Sequence, residues 1–194
     1  MKKAILIYIL LILSSNSIEA SDKARGMFVS FGVGPRVPLG IFSERVLLGY
    51  GFNLEMSYTD NEYLPIFIFG GVGFEQYPGS QDFYQGSDYS QYSTNLLPFH
   101  IGARYYLPPL MENIVLILPL VEVSASLTVF QNSHEFKPAS LRNNFIEDGS
   151  KAGFSIGAGA SMFLMEALAS YHWYKDYQYL SFDLKVRIPM FVSI

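Results

Sequence analysis

From Leu180 to Val192 the chain alternates with a period of two. Leu180, Phe182, Leu184, Val186, Ile188, Met190 and Val192 fall on one side, and Ser181, Asp183, Lys185 and Arg187 on the other. An extended strand puts every second residue on one face, so this segment reads as a strand with an oily side and a charged side. Seven further segments share strand character, with turn-rich stretches between them. The predicted strands cover 26–35, 46–58, 63–75, 94–107, 114–130, 152–164, 167–174 and 179–193. A transmembrane strand tilted near 45° needs about 9–11 residues; all but 167–174 reach that length.

The connections keep a matching rhythm. If the first strand runs outward, the second, fourth and sixth connections (59–62, 108–113 and 165–166) face the periplasm, and all three are short. Residues 76–93 and 131–151, rich in Gln, Ser, Asn, Asp and Gly, are the longest and fall outside. Short turns on one side and long loops on the other are the habit of outer-membrane barrels. A helix would need roughly 20 unbroken apolar residues to cross a bilayer. The nearest candidate, Ile114 to Phe130, is interrupted by Pro119 and Glu122 and alternates from Val121 onward, so it reads as a strand.

The residues on the polar side decide which face meets lipid. Ser30, Gly32 and Gly34; Gly51, Asn53 and Glu55; Gly71, Gly73 and Glu75; His100, Gly102 and Arg104; Glu122, Ser124 and Ser126; and Ser155, Gly157, Gly159 and Ser161 share that side. Glycine weakens a strand that faces water, but inside a narrow barrel small residues make room for a few long charged ones. The opposite face carries Leu48, Tyr50, Phe52, Leu54 and Met56, then Ile66, Ile68, Val72 and Phe74, then Leu97, Phe99, Ile101 and Tyr105, then Phe154, Ile156, Ala158, Ala160 and Met162. No Lys or Arg interrupts it, as a lipid-facing belt requires, since a cation at the bilayer midplane costs about 2–4 kcal/mol. Tyr58, Tyr63, Tyr105, Tyr106, Tyr171, Trp173 and Tyr174 gather near strand ends and read as interfacial girdles. Lipid cannot satisfy an open sheet edge, so the sheet must close. The expected fold is all-β: an eight-stranded, antiparallel, up-and-down transmembrane β-barrel.

Composition narrows the picture further. Met1-Lys2-Lys3, the apolar run Ala4 to Leu13 and the small polar stretch ending Ile18-Glu19-Ala20 read as a signal peptide cleaved after Ala20. Residues 1–20 are then removed and 21–194 form one barrel domain. The formal net charge is −4 over the whole sequence and about −5 without Lys2, Lys3 and Glu19, so nucleic acid is not an expected partner. There is no Cys, which removes disulfides and thiolate zinc sites.

Gly102-Ala103-Arg104-Tyr105-Tyr106, Leu118-Pro119-Leu120-Val121-Glu122-Val123, Gly157-Ala158-Gly159-Ala160, Tyr171-His172-Trp173 and Gln178-Tyr179-Leu180-Ser181-Phe182 carry a resemblance. With them the chain resembles, over most of 26–194, the small outer-membrane β-barrel domain family of Gram-negative bacteria, relatives of the OmpA and OmpX barrels. The resemblance implies an outer-membrane location, a general envelope role, and as partners outer-membrane lipid, lipopolysaccharide and the barrel-assembly machinery. Such barrels commonly finish on an aromatic that the insertion machinery reads; this chain ends Phe191-Val192-Ser193-Ile194.

The candidate chemistry is a lumen charge network. Glu55, Glu75, Glu122 and Asp183 fall opposite Arg104, Lys185 and Arg187, and their charges nearly cancel. They read as an ion-pair plug, with a narrow path for small solutes as the alternative. Ser170 and His172 raise the possibility of a lipid-modifying hydrolase, but they face the lumen in this register and no acidic orienter is evident. His134 and Glu135 read as solvated loop residues, short of a third metal ligand. No catalytic residue, cofactor or metal is expected. Tyr77, Phe83, Tyr84, Tyr89 and Tyr92 among small polar residues resemble a recognition surface, so residues 76–93 and 131–151 are candidate contacts for a surface ligand, and adhesion is a further reading.

Overall fold

The computed structural model describes residues 25–60, 64–110 and 117–193. Eight strands succeed one another: β1 Arg25–Leu39, β2 Gly49–Asp60, β3 Leu64–Pro78, β4 Tyr89–Tyr106, β5 Ile117–Phe136, β6 Phe145–Met162, β7 Met165–Tyr174 and β8 Tyr177–Ser193. Each pairs antiparallel with its neighbours in sequence, and β1 pairs with β8 to close the ring. Residues 1–20, expected to be a signal peptide, lie outside the described residues, as do Tyr63 and Ile194.

The period-two pattern sets the two faces. Phe31, Phe52, Leu54, Ile68, Phe99, Ile101, Val123, Ile156 and Phe182 point outward and are exposed; Ser30, Asn53, Glu55, Arg104, Glu122, Ser155 and Asp183 point inward and are buried. An exposed apolar belt of this extent on a closed barrel is a lipid-facing surface. Tyr58 and Trp173 lie outward with it, but Tyr174 turns into the barrel and is fully buried. Tyr106 also turns inward and bonds Glu166 and Arg187. These two are lumen residues rather than girdle residues.

Several strands run further than the sequence suggests. β4 starts at Tyr89, β5 reaches Phe136 and β6 starts at Phe145, so most of 131–151 is sheet and not loop. On the outward side of these extensions the belt residues give way to Ser93 and Gln91 on β4, Gln131 and Ser133 on β5, and Asp148 and Ser150 on β6. Lipid would not solvate that surface, so the three strands stand above the membrane as a polar sheet. With no apolar outer face, the alternation that marks a membrane strand is missing, and the segment reads as loop. The true connections are a 3-10 turn at Gly40–Glu44, a one-turn helix at Gln81–Gln85, residues 137–144 with a 3-10 turn at Pro138–Ser140, and the tight turn Lys175-Asp176.

At the opposite end the β6–β7 turn is Phe163-Leu164, with Phe163 in the left-handed region at φ 57°. The sequence pattern places that turn at Met165-Glu166 instead. β7 therefore begins two residues earlier than its pattern suggests and has 10 residues, enough to cross the bilayer.

Candidate functional site

All seven charged residues expected in the lumen are buried there, and two more join them: Arg36 on β1 and Glu166 on β7. Seven of the eight strands supply at least one of these nine charges. β6 supplies none; its lumen face is Gly153, Ser155, Gly157, Gly159 and Ser161. That bareness makes room, since a Cβ on Gly157 would stand 2.3 Å from Ser170 Oγ and 3.1 Å from Glu122 Cγ.

The charges form two clusters. In the one nearer Arg25 and Ser193, Arg104 is fully buried and donates from Nε and Nη2 to Glu122 Oε2 at 2.9 and 2.7 Å. It also reaches Glu55 at 2.9 Å and Glu166 at 3.2 Å. Lys185 meets Glu55 at 3.0 Å and Arg187 meets Glu166 at 3.1 Å. The Arg187 guanidinium lies 4.1 Å from the Phe28 ring centroid and 4.5 Å from that of Phe67, a cation-π clamp across the periplasmic mouth. Planar guanidinium groups suit this work because each offers several donors in a fixed fork.

Nearer the outer end, Arg36 joins Glu75 at 2.8 Å and Asp183 at 2.9 Å. Tyr77 and Tyr179 hydroxyls donate to Glu75 at 2.9 and 3.1 Å, and Asn53 Nδ2 donates to Asp183 at 3.0 Å. Above them Phe42, Tyr77, Tyr92, Leu96, Phe130, Tyr174, Tyr177 and Tyr179 pack into an aromatic cap. A cavity of about 40 Å³ is lined by residues of both clusters, among them Arg36, Glu55, Glu122, Asp183 and Lys185.

Ser170 and His172 both face the lumen, yet they form no nucleophile–base pair. His172 Nε2 bonds Ser181 Oγ at 2.9 Å and its ring stacks on Tyr179 at 4.5 Å. His134 is not a solvated loop residue: it is buried on β5, stacked on Phe145 at 4.3 Å, with Nδ1 at 3.1 Å from Tyr89 Oη and Nε2 at 3.2 Å from Glu147. Among the described residues no three His, Cys, Asp or Glu converge as a metal site would require.

Outside the membrane, Lys151 Nζ ties β6 to the β7–β8 turn through Asp176 at 2.8 Å and the Lys175 carbonyl at 2.9 Å. The Lys151 hydrogen bond holds the Asp176 carboxyl below the ordinary aspartate range. A depressed folded-state value means the tie contributes fully above the ordinary pKa and is lost as pH falls through the folded value. A carboxyl-carbon titration of Asp176 should therefore give a midpoint under about 3.9, returning there in Lys151→Ala. An ordinary midpoint in the unaltered chain would remove the tie.

No family model and no curated protein matches the chain. Among solved structures it is similar to Neisserial surface protein A, NspA, at 13% identity over 86% of this chain and 99% of that one, with a TM-score of 0.51. It is also similar to Ail, the attachment invasion locus protein of Yersinia pestis, at 15% identity over 87% of this chain and all of that one, with a TM-score of 0.49. The closed eight-strand ring, the oily outer belt, the polar filled lumen and the NspA likeness agree. The chain has the fold of the small eight-stranded outer-membrane β-barrels.

Proposed function

We propose that this outer-membrane barrel is a non-conducting, non-catalytic scaffold with an envelope role. The carrying observation is the cluster around Arg104, whose three ion-pair partners and two cationic neighbours reach from β2, β5, β7 and β8 to meet across the lumen. An eight-stranded barrel is narrow enough for side chains to fill it, and the Arg187 clamp and the aromatic cap add a stopper at each end. The expected result in a planar bilayer is no stepwise current from the purified barrel. Regular single-channel steps that survive further purification would instead favour a narrow solute path.

A second reading, surface binding, is favoured by the protruding sheet. Above Gly153 no β7 residue pairs with β6, so on residues 145–152 alternate N–H and C=O groups face away from β5 with no strand beside them. Such an edge accepts an extended peptide strand, and Phe145 and Ile146 are exposed beside it. The β4 edge is occupied instead: Tyr84 Oη accepts from Tyr92 N and donates to Tyr92 O, both at 2.9 Å. Glu147 and Asp148 on the open edge discourage pairing between copies. Bacteria displaying an Ile146→Pro chain should lose attachment to cell surfaces while the barrel keeps its folded gel mobility. Undiminished attachment would end this reading.

A further inference from the structure

Two side-chain ladders cross the protruding sheet from β4 through β5 and stop at the open edge of β6. The first is aromatic, since the strand register sets Tyr92 beside His134 and His134 beside Phe145. The Tyr92 ring meets His134 edge-on at 5.2 Å, and the His134 ring lies parallel to that of Phe145 at 4.3 Å, with 8° between their planes. Tyr92 and His134 are buried, whereas Phe145 is 50% exposed. His134 covers one face of the Phe145 ring, so the other looks away from β5, toward the place where a further strand would lie.

The second ladder is polar and runs one pair nearer the membrane, through Thr94, Asn132 and Glu147. Thr94 Oγ1 donates to Asn132 Oδ1 at 2.8 Å, and Asn132 Nδ2 donates to Glu147 Oε2 at 3.2 Å, an oxygen that also meets His134 Nε2 at 3.2 Å. Each member hands a donor to the next, and the ladder ends on a carboxylate, which can only accept. Among the described residues Glu147 Oε1 takes no hydrogen bond and no Lys or Arg lies within ion-pair distance of this side chain, which is 53% exposed. Lys151 on the same face is committed to Asp176 at 2.8 Å. Arg45 and Asp176 line a hollow of about 210 Å³ beneath the edge together with Lys151 and Glu147, so the formal charges of the hollow cancel and leave a cation free to arrive at Glu147.

We propose that the β6 edge takes an extended segment of a partner protein that carries a basic side chain opposite Glu147 and an aromatic one opposite Phe145. This partner presupposes the strand-addition reading of the surface given above and specifies its chemistry. Alternate residues of a strand share a face, so the two side chains stand two positions apart whichever way the segment runs. Backbone pairing would hold the segment and the two side chains would select it. The cation would meet the unused Glu147 oxygen, and the ring would continue the stack that ends on Phe145.

The test measures binding of fluorophore-labelled peptides to the detergent-folded barrel by anisotropy. The peptides have about eight residues of alternating Thr and Ser, a usual strand length. One carries Lys and Tyr two positions apart; the controls replace Lys by Glu, replace Tyr by Ser, or N-methylate the backbone. The Lys–Tyr peptide should bind about three- to tenfold more tightly than the Glu control and about two- to fivefold more tightly than the Ser control. Glu147→Lys should reverse the order of the Lys and Glu peptides, whereas Asp148→Lys, on the outer face of the same edge, should leave it unchanged. Equal binding of the Lys and Glu peptides, or of the Tyr and Ser peptides, overturns the proposal and leaves strand addition standing, as does a reversal produced by Asp148→Lys alone. An N-methylated peptide that binds as well as its parent, or no binding by any peptide, ends strand addition and the proposal with it. A dimer of the folded barrel in sedimentation that Ile146→Pro dissolves would assign the edge to a second copy and overturn the proposal. Should Glu147→Lys not fold, the peptide series on the unaltered chain decides.

Discussion

Arg104→Ala is expected to destabilise the barrel by about 3–5 kcal/mol, the usual cost of removing one partner from a buried ion pair. The position is unusually exacting because three carboxylates depend on it: Glu55, Glu122 and Glu166 lie within 2.7–3.2 Å of its guanidinium. Lys185 and Arg187 would remain to meet Glu55 and Glu166, but Glu122 would lose its ion-pair partner altogether. Most of the loss is therefore the stranding of negative charge, and Arg104→Ala with Glu122→Gln should recover part of it. Arg104→Lys keeps the charge but cannot reach three directions at once, so it should fall between. The measurement is the temperature at which an unboiled sample loses its folded mobility on a denaturing gel. An unchanged temperature in Arg104→Ala would remove the cluster from the account of stability.

Gly34→Val should act at the junction of β1 and β8. A Cβ on Gly34 would lie 1.7 Å from the Phe182 carbonyl oxygen and 2.8 Å from its carbon, while the register of the two strands runs unchanged past it from Val33↔Leu184 to Arg36↔Ser181. The obstacle is backbone, so no rotamer change clears it. The expected penalty lies at or above the upper end of the about 1–3 kcal/mol typical of overpacking, and the variant should run largely as the unfolded form. Gly70 provides the control. It faces outward, and its nearest neighbour to a new Cβ would be the His100 carbonyl oxygen at 3.6 Å. Gly70→Ala should therefore stay within about 0.5 kcal/mol. Equal tolerance at both positions would show that close approach at residue 34 is not what demands glycine.

Alternation made most of the lumen legible. Glu55, Glu75, Arg104, Glu122, Asp183, Lys185 and Arg187 each sit in a run whose odd or even partners are lipid-compatible, and one register assigns them all inward. Arg36 escaped because Pro35, which cannot donate to a ladder, reads as a strand end. The signal that could have found it is the continuation of Val33 through Val37 and Leu39 on the outward parity. Glu166 escaped because Phe163 and Leu164 read as strand residues when they are the turn. Met165, Ala167, Ala169, Tyr171 and Trp173 already alternate outward from the right start. Nothing in the spacing of Tyr77, Tyr92, Tyr174, Tyr177 and Tyr179 separates an aromatic cap from an interfacial girdle. Both place tyrosine near strand ends, and only the register tells which side of the wall each ring occupies.

The pairing of Arg36 on the first strand with Asp183 on the last, and of Glu55 on the second with Lys185 on the last, has a kinetic side. These contacts cannot exist in a curved sheet that has not yet joined its two ends. Every intermediate on the route must therefore carry naked charge beside lipid until the final hairpin docks. Halfway states are penalised twice, through unsatisfied backbone and through bare ions, and insertion should proceed as a single concerted event with little accumulation of partly assembled species.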